Sequence, residues 1–181
     1  PAGSFTSHSE TQPGKGQVRH MDGGFDWSVL GEGTALEAVV QSLPMPIRLA
    51  LPQIASTGTF RTDTTPAPFE ATVTLDGLTV NPELWNIFDP EAHINRAPAR
   101  LDVDLAGLAA VPTMDNPTPG KTQLTIRKAE LTAGGATLLA TGDLSVDPAA
   151  PVVAPEGQVQ LTLDGGLALL AFGIGLNLAA L

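Results

Sequence analysis

The chain has 181 residues, a formal net charge of −10 and no cysteine. This length suits one domain or one and a half, and a hydrophobic fraction of 43% excludes a disordered chain. The acidic balance, 9 Lys and Arg against 19 Asp and Glu, excludes a nucleic-acid partner because phosphate binding needs a basic surface. The lack of cysteine excludes disulfides, thiolate catalysis and zinc fingers.

The N-terminal part differs in composition from the rest of the chain. Residues 1–20 are rich in Gly, Pro and Ser without a hydrophobic period, which indicates a loop or an extended edge. We therefore predict an extended or loop-rich segment over residues 1–33 and a single β-rich domain over residues 34–181. Because the chain begins at Pro1 rather than at a methionine, we expect a processed form or a fragment.

Two helices are predicted, over residues 34–43 and directly after Asn81. Thr34 and Glu37 form a capping box for the first helix, whose apolar residues recur at helical spacing. The second helix has Asn81 as its N-cap and Pro82 at its first position, and it ends before Asp89.

Alternation of apolar and polar residues predicts antiparallel strands from Ile47 onward, each with one solvated face. Ala133-Gly134-Gly135 is typical of a hairpin turn between two of them. We expect a mainly β fold: a curved antiparallel sheet or open sandwich with two or three short helices on one face. Predicted inward positions are Val73, Leu75, Leu101, Val103, Leu105, Leu161 and Leu163.

Three strand segments, TVTLDGL, DVDLAGL and QLTLDGGL, resemble one another, and each precedes a stretch that could turn helical. Such an internal repeat favours stacked β units. The last residues, 165–181, carry no charge but fall short of the roughly 20 apolar residues of a membrane span. They favour a buried or interfacial helix over a span.

Catalytic, cofactor and metal sites are not predicted. The three histidines lack partners at metal-ligand spacing, and neither a nucleophile elbow nor a phosphate loop is present. The strand aspartates Asp102 and Asp104 are interpreted as solvated surface rather than a calcium site. Two aromatic pairs, Phe25 with Trp27 and Trp85 with Phe88, either plug an end of the sheet or contact a ligand or partner.

The segment LDGLTVNPELWNIFDPEAHINRAPARLDVDLAG resembles a signature of a family of alphaproteobacterial envelope proteins known only as a domain of unknown function. The residues that carry the likeness are Leu84, Trp85, Phe88, Asp89, Pro90, Arg96, Pro98, Ala99 and Gly107. A later segment is similar to the C-terminal hairpin of that family through Gly135, Gly142, Leu144, Pro155, Glu156, Gly157, Val159 and Leu161. The resemblance covers about residues 70–170.

This resemblance implies an exported protein associated with the inner membrane from the periplasmic side, with strands similar to those of AsmA-like proteins that contact lipid. We therefore expect a non-enzymatic protein that contacts lipid or another apolar ligand through its sheet. An accessory subunit of an inner-membrane complex and a hydrolase built around His93 and carboxylates are the alternatives. The expected contact residues are Trp85, Phe88, Phe25, Trp27, Val73, Leu75, Val103 and Leu105, and the oligomeric state stays open.

Overall fold

A computed structural model describes residues 5–40, 44–111, 114, 120–147, 150 and 154–165. These residues form one nine-stranded antiparallel sheet and one helix. The elements in chain order are β1 (Phe5–Thr11), β2 (Lys15–Met21), β3 (Gly24–Val40), β4 (Ile47–Arg61), β5 (Ala67–Val80), α1 (Pro82–Phe88), β6 (Ala99–Ala109), β7 (Thr122–Ala133), β8 (Ala136–Val146) and β9 (Pro155–Asp164). From β3 to β9 each strand pairs with its neighbours in sequence, and β2 and β1 pair with the first and second halves of β3. The predicted mainly β, antiparallel fold is confirmed as an open sheet.

The predicted helix over residues 34–43 is wrong in its described part. Residues 34–40 are the second half of β3, held between β1 and β4. Leu36 pairs with Leu49, so the apolar residues serve a strand, and pairing on both sides outweighs the local capping box. Residues 41–43 lie outside the described residues. Residues 5–21, expected as a loop or an extended edge, contain the strands β1 and β2.

The prediction of two or three helices is also wrong for the described residues, which contain α1 alone. That helix has the expected ends: Asn81 at the N-cap, Pro82 in the first turn and Asp89 at the C-cap. The stretches that follow the other two repeated segments lie mostly or wholly outside the described residues, as do residues 166–181.

The predicted hairpin at residues 133–136 is confirmed. β7 ends at Ala133, β8 begins at Ala136, and the two turn residues Gly134 and Gly135 have φ of 62° and 82°. Positive φ at both central positions is the type I′ geometry that matches the twist of an antiparallel pair, and glycine adopts it at least cost.

Burial in this fold is shallow. Among the described residues the buried apolar side chains are Ala38, Leu84, Ile94 and Ala136, and no large side chain is fully enclosed. The substantial contacts between described elements are all between neighbouring strands. A single open sheet cannot enclose a core between its own strands, which accounts for the shallow burial of the described residues.

Candidate functional site

The strand register gathers the apolar residues on one face of the sheet, which we call the apolar face. One row crosses six strands and consists of Ile54, Leu75, Leu101, Leu131, Leu138 and Leu163. The adjacent row consists of Ser56, Val73, Val103, Ala129, Ala140 and Leu161. A third row, next to that of Val103, contains Leu105, which pairs with Ala71 and with Ile126. The predicted inward residues therefore lie on one face.

Aromatic rings occupy one side of the apolar face. The ring of Phe25 lies 6.0 Å from that of Trp27 and 5.8 Å from that of Phe60, and Phe60 lies 6.3 Å from Phe69. The indole Nε1 of Trp27 donates a hydrogen bond of 3.0 Å to the hydroxyl of Ser56. This bond satisfies the one polar atom of the indole, so the rest of the Trp27 side chain presents an apolar surface.

The apolar face is uncovered in the part of the chain that the structure describes. Leu161 keeps 66% of its surface exposed and Leu163 keeps 48%. Further exposed residues of this face are Val18, Val29, Leu131, Leu138 and Val159. An exposed contiguous apolar surface of this kind marks a site for a partner, a ligand or a membrane.

The opposite face is polar and cross-linked. Thr57 and Thr72 share a hydrogen bond of 2.6 Å, and Arg100 bridges Asp76 and Asp102 with contacts of 2.8 Å. The guanidinium of Arg100, followed by the hydroxyl of Thr74, holds the pKa of Asp102 below its usual value despite partial desolvation. These cross-strand pairs tie adjacent strands together on the solvated side.

A bulge in β7 preserves this separation of the two faces. The register shifts between Ile126 and Ala129, which places the consecutive residues Arg127 and Lys128 opposite the acidic side of β6. Arg127 forms ion pairs with Glu70 and Asp104. The extra residue lets two basic side chains in succession avoid the apolar face.

A cavity lies beside α1. Trp85 lines a cavity of about 600 Å³ together with residues of β1, β3, β4 and β5. The ion pair of Arg48 with Glu37, 2.7 Å long, also lines it, and this contact raises the pKa of Arg48. Trp85 thus lies at a cavity, separated from the aromatic rings of Phe25 and Trp27, while the side chain of Phe88 lies outside the described residues.

The loop after α1 is organised by Asp89, which is 4% exposed. Its carboxylate accepts backbone N–H bonds from Ile94 (2.8 Å) and His93 (3.0 Å). The Ile94 bond is the main cause that lowers the pKa of Asp89, against the opposing effect of burial. The carbonyl of Asp89 accepts a bond from Arg96. The resemblance to a family signature at Asp89 and Arg96 thus corresponds to a structural loop.

The imidazole of His93 lies between two carboxylates, 3.4 Å from Asp89 and 3.4 Å from Glu91. It is 70% exposed and does not line the cavity beside α1. Across the described ranges no group of three His, Asp or Glu residues is arranged to hold a metal ion. In the same part of the chain no helix has the length and hydropathy to cross a membrane.

Sequence reasoning missed about half of the apolar face. The additional members are Val18, Val29, Ile54, Phe60, Phe69, Leu124, Ile126, Leu131, Leu138, Leu144 and Val159. Most of them alternate with polar residues in their own strands, so the period of two was the signal that could have found them. The register between strands, which sequence does not show, is what joins them.

Comparison with protein families identifies the chain. It belongs to the family of uncharacterized proteins conserved in bacteria designated DUF2125, whose model matches residues 8–173. The expected membership of a bacterial family of unknown function is confirmed, whereas alphaproteobacterial origin and AsmA-like strands stay predictions. Neither the curated proteins nor the solved structures contain a match to the chain.

Proposed function

We propose that the protein is a non-enzymatic component of the bacterial envelope that contacts the acyl chains of phospholipid through its apolar face. The observation that carries this proposal is the uncovered apolar face itself, on which Leu161 and Leu163 stand exposed. Acyl chains have no charged or hydrogen-bonding groups, so a surface that binds them needs none either. From β5 to β9 the residues that line up with the rows of this face carry no charge.

The dimensions of the face support acyl chains. The six strands from β4 to β9 are separated by five spacings of about 4.8 Å, which gives a width of about 24 Å. One leaflet of a bilayer has a hydrocarbon depth of roughly 15 Å, half of the full core. The face is therefore wide enough for whole acyl chains to lie against it.

The charges of the protein favour contact with the chains over contact with the headgroups. The net charge is −10, so an anionic membrane surface repels the molecule. Hydrophobic contact acts at the short range where the apolar residues touch the lipid, and burial of apolar area is its driving force. We place the protein in the periplasm, in association with the inner membrane, and this location rests on the resemblance of residues 70–170.

The two tryptophans provide the test, because Trp27 lies on the apolar face and Trp85 lines the cavity. A Trp85→Phe variant leaves Trp27 as the single fluorophore. Vesicles of phosphatidylcholine with brominated acyl chains should quench its fluorescence more than unbrominated vesicles do, because bromine quenches on contact. Equal fluorescence in the two kinds of vesicle at saturating lipid would contradict contact between the face and acyl chains.

A second candidate, an accessory subunit of a membrane protein complex, is favoured by the outer edge of β9. All ten residues of β9 are exposed, and among the described strands it pairs with β8 alone. Such an edge accepts a strand from another protein through its free backbone groups. Purification from native membranes separates the two candidates: co-purifying phospholipid favours the first, and a polypeptide in fixed stoichiometry favours the second.

A further inference from the structure

The cavity beside α1 is lined by small residues, where the rows of the apolar face carry larger ones. Ala35 pairs with Ala50 and Ala50 pairs with Thr79, so three small side chains occupy one row across β3, β4 and β5. All three line the cavity, as do Trp85 and Pro82 of α1. Small residues in a row leave depth where larger ones would fill it, and the helix after β5 adds a wall. The volume of about 600 Å³ falls within the range of small-molecule sites.

Both arginines that line this cavity already contact partners, although the buried Nε of Arg96 has no hydrogen-bond partner. Arg48 forms a 2.7 Å ion pair with Glu37. Arg96 donates to the carbonyl of Asp89 at 2.7 Å and to the side chain of Asn86 at 3.1 Å. An anionic ligand at Arg48 would compete with Glu37 for the guanidinium, and it would also meet the carboxylate of Glu10, which lines the cavity too. An anionic ligand therefore gains little there.

We infer that this cavity binds one uncharged, largely apolar small molecule, such as an alkyl chain that ends in a hydroxyl group, in contact with Trp85. The apolar part lies against the row of Ala35, Ala50 and Thr79, and the hydroxyl reaches the Glu37–Arg48 pair. The pair offers both donors and acceptors, so a single hydroxyl is satisfied without a change of charge. None of the lining residues belongs to the rows that define the apolar face, and the ligand of this site is separate from the lipid contact proposed above.

The test uses ω-bromoundecanol, an uncharged alkyl alcohol whose bromine quenches tryptophan on contact. In a Trp27→Phe variant, which retains only Trp85, the alcohol should quench fluorescence with a saturable, one-site curve. The carboxylate analogue, ω-bromoundecanoate, should bind at least about tenfold more weakly, a difference of about 1.4 kcal/mol. Quenching that rises linearly with alcohol concentration overturns the site, and equal or tighter binding of the carboxylate overturns its preference for an uncharged ligand.

A blocking variant confirms the location. Ala50→Phe fills the row of small residues and should weaken binding of the alcohol at least about tenfold. Ala55→Phe, in the same strand but away from the cavity lining, is the matched control and should leave binding unchanged. Thr79→Phe introduces the same block from β5 if Ala50→Phe does not fold. Unaltered binding in a folded blocking variant overturns the assignment. Vesicle quenching of Trp27 in the Ala50→Phe, Trp85→Phe double variant reports on the lipid contact separately.

Discussion

Truncation of Leu161 to alanine tests whether the apolar face contacts lipid. Leu161 keeps 66% of its surface exposed in the free protein. Full burial of a leucine side chain contributes about 1.5–3 kcal/mol, so covering the exposed two thirds contributes ~1–2 kcal/mol. At 1.4 kcal/mol for each factor of ten, Leu161→Ala should lower the vesicle partition coefficient about 5- to 30-fold.

Leu161→Ala should change the stability of the free protein very little, because the side chain is already mostly exposed to water. We expect the free energy of unfolding of Leu161→Ala to stay within ~0.5 kcal/mol of the parent protein. The neighbouring residue provides the control: Thr162 pairs with Leu139 on the opposite face of the same two strands. Thr162→Ala should leave vesicle partitioning unchanged.

The assay is co-sedimentation with phosphatidylcholine vesicles at increasing lipid concentration, which yields the partition coefficient directly. Leu161→Glu extends the series, since a carboxylate on the apolar face must be desolvated and should abolish partitioning. Equal partitioning of Leu161→Ala and Thr162→Ala would refute the reasoning, because it would mean that the two faces of β9 do not differ towards lipid.

Two further predictions concern stability. Gly107→Ala places a Cβ in steric overlap with the backbone oxygen of Gln123, so β6 and β7 must separate. The free energy of unfolding should fall by about 1–3 kcal/mol, measured by urea denaturation. The control Gly16→Ala has its nearest neighbour at 3.8 Å and should be neutral, and equal costs for both would contradict the clash. The lowered pKa of Asp89 stabilises the fold above the carboxyl's unfolded pKa, and this contribution disappears as the pH falls through the folded value. The stability difference between the parent and Asp89→Asn should therefore shrink below about pH 4; a difference independent of pH would show that the charge of Asp89 has no such role.

The strands after residue 47 were predictable because a period of two is a local signal. The alternating segments after residue 66 each became one strand, whereas the two segments between residues 47 and 61 joined into β4. The hairpin at Gly134 and Gly135 followed from residues that adopt positive φ. The segment 34–40 was not predictable in the same way. Its residues fit a helical face as well as a strand. The pairing that decides between them comes from β4 on one side and, on the other, from β1, whose residues carry no clear period.

Prediction of the candidate site from the sequence had the same limit: pairing between strands is not visible in the sequence. Val73, Leu75, Val103 and Leu105 were assigned to one face from their own strands, and the register places them there. The joining of Phe25 and Trp27 to Phe60 and Phe69 depended on pairing between strands. The cavity could not be predicted from the sequence, because it depends on three small residues that pair across β3, β4 and β5. Small residues carry no sequence signal for empty space.

The polar face explains how a sheet with so little buried volume maintains two distinct surfaces. Its ion pairs and threonine bonds link neighbouring strands on the solvated side, and they are made by residues that alternate with the apolar ones. The bulge at Arg127 and Lys128 costs one break in register, yet it keeps two positive charges away from the apolar residues of β7. A β-bulge changes the direction of the side chains around it, and here the side chains that it redirects are basic. If the apolar face met only water, a basic residue there would improve solubility. The absence of charge from this face between β5 and β9 is the property that an apolar covering surface requires, and phospholipid is the occupant that we propose and that the vesicle experiments test.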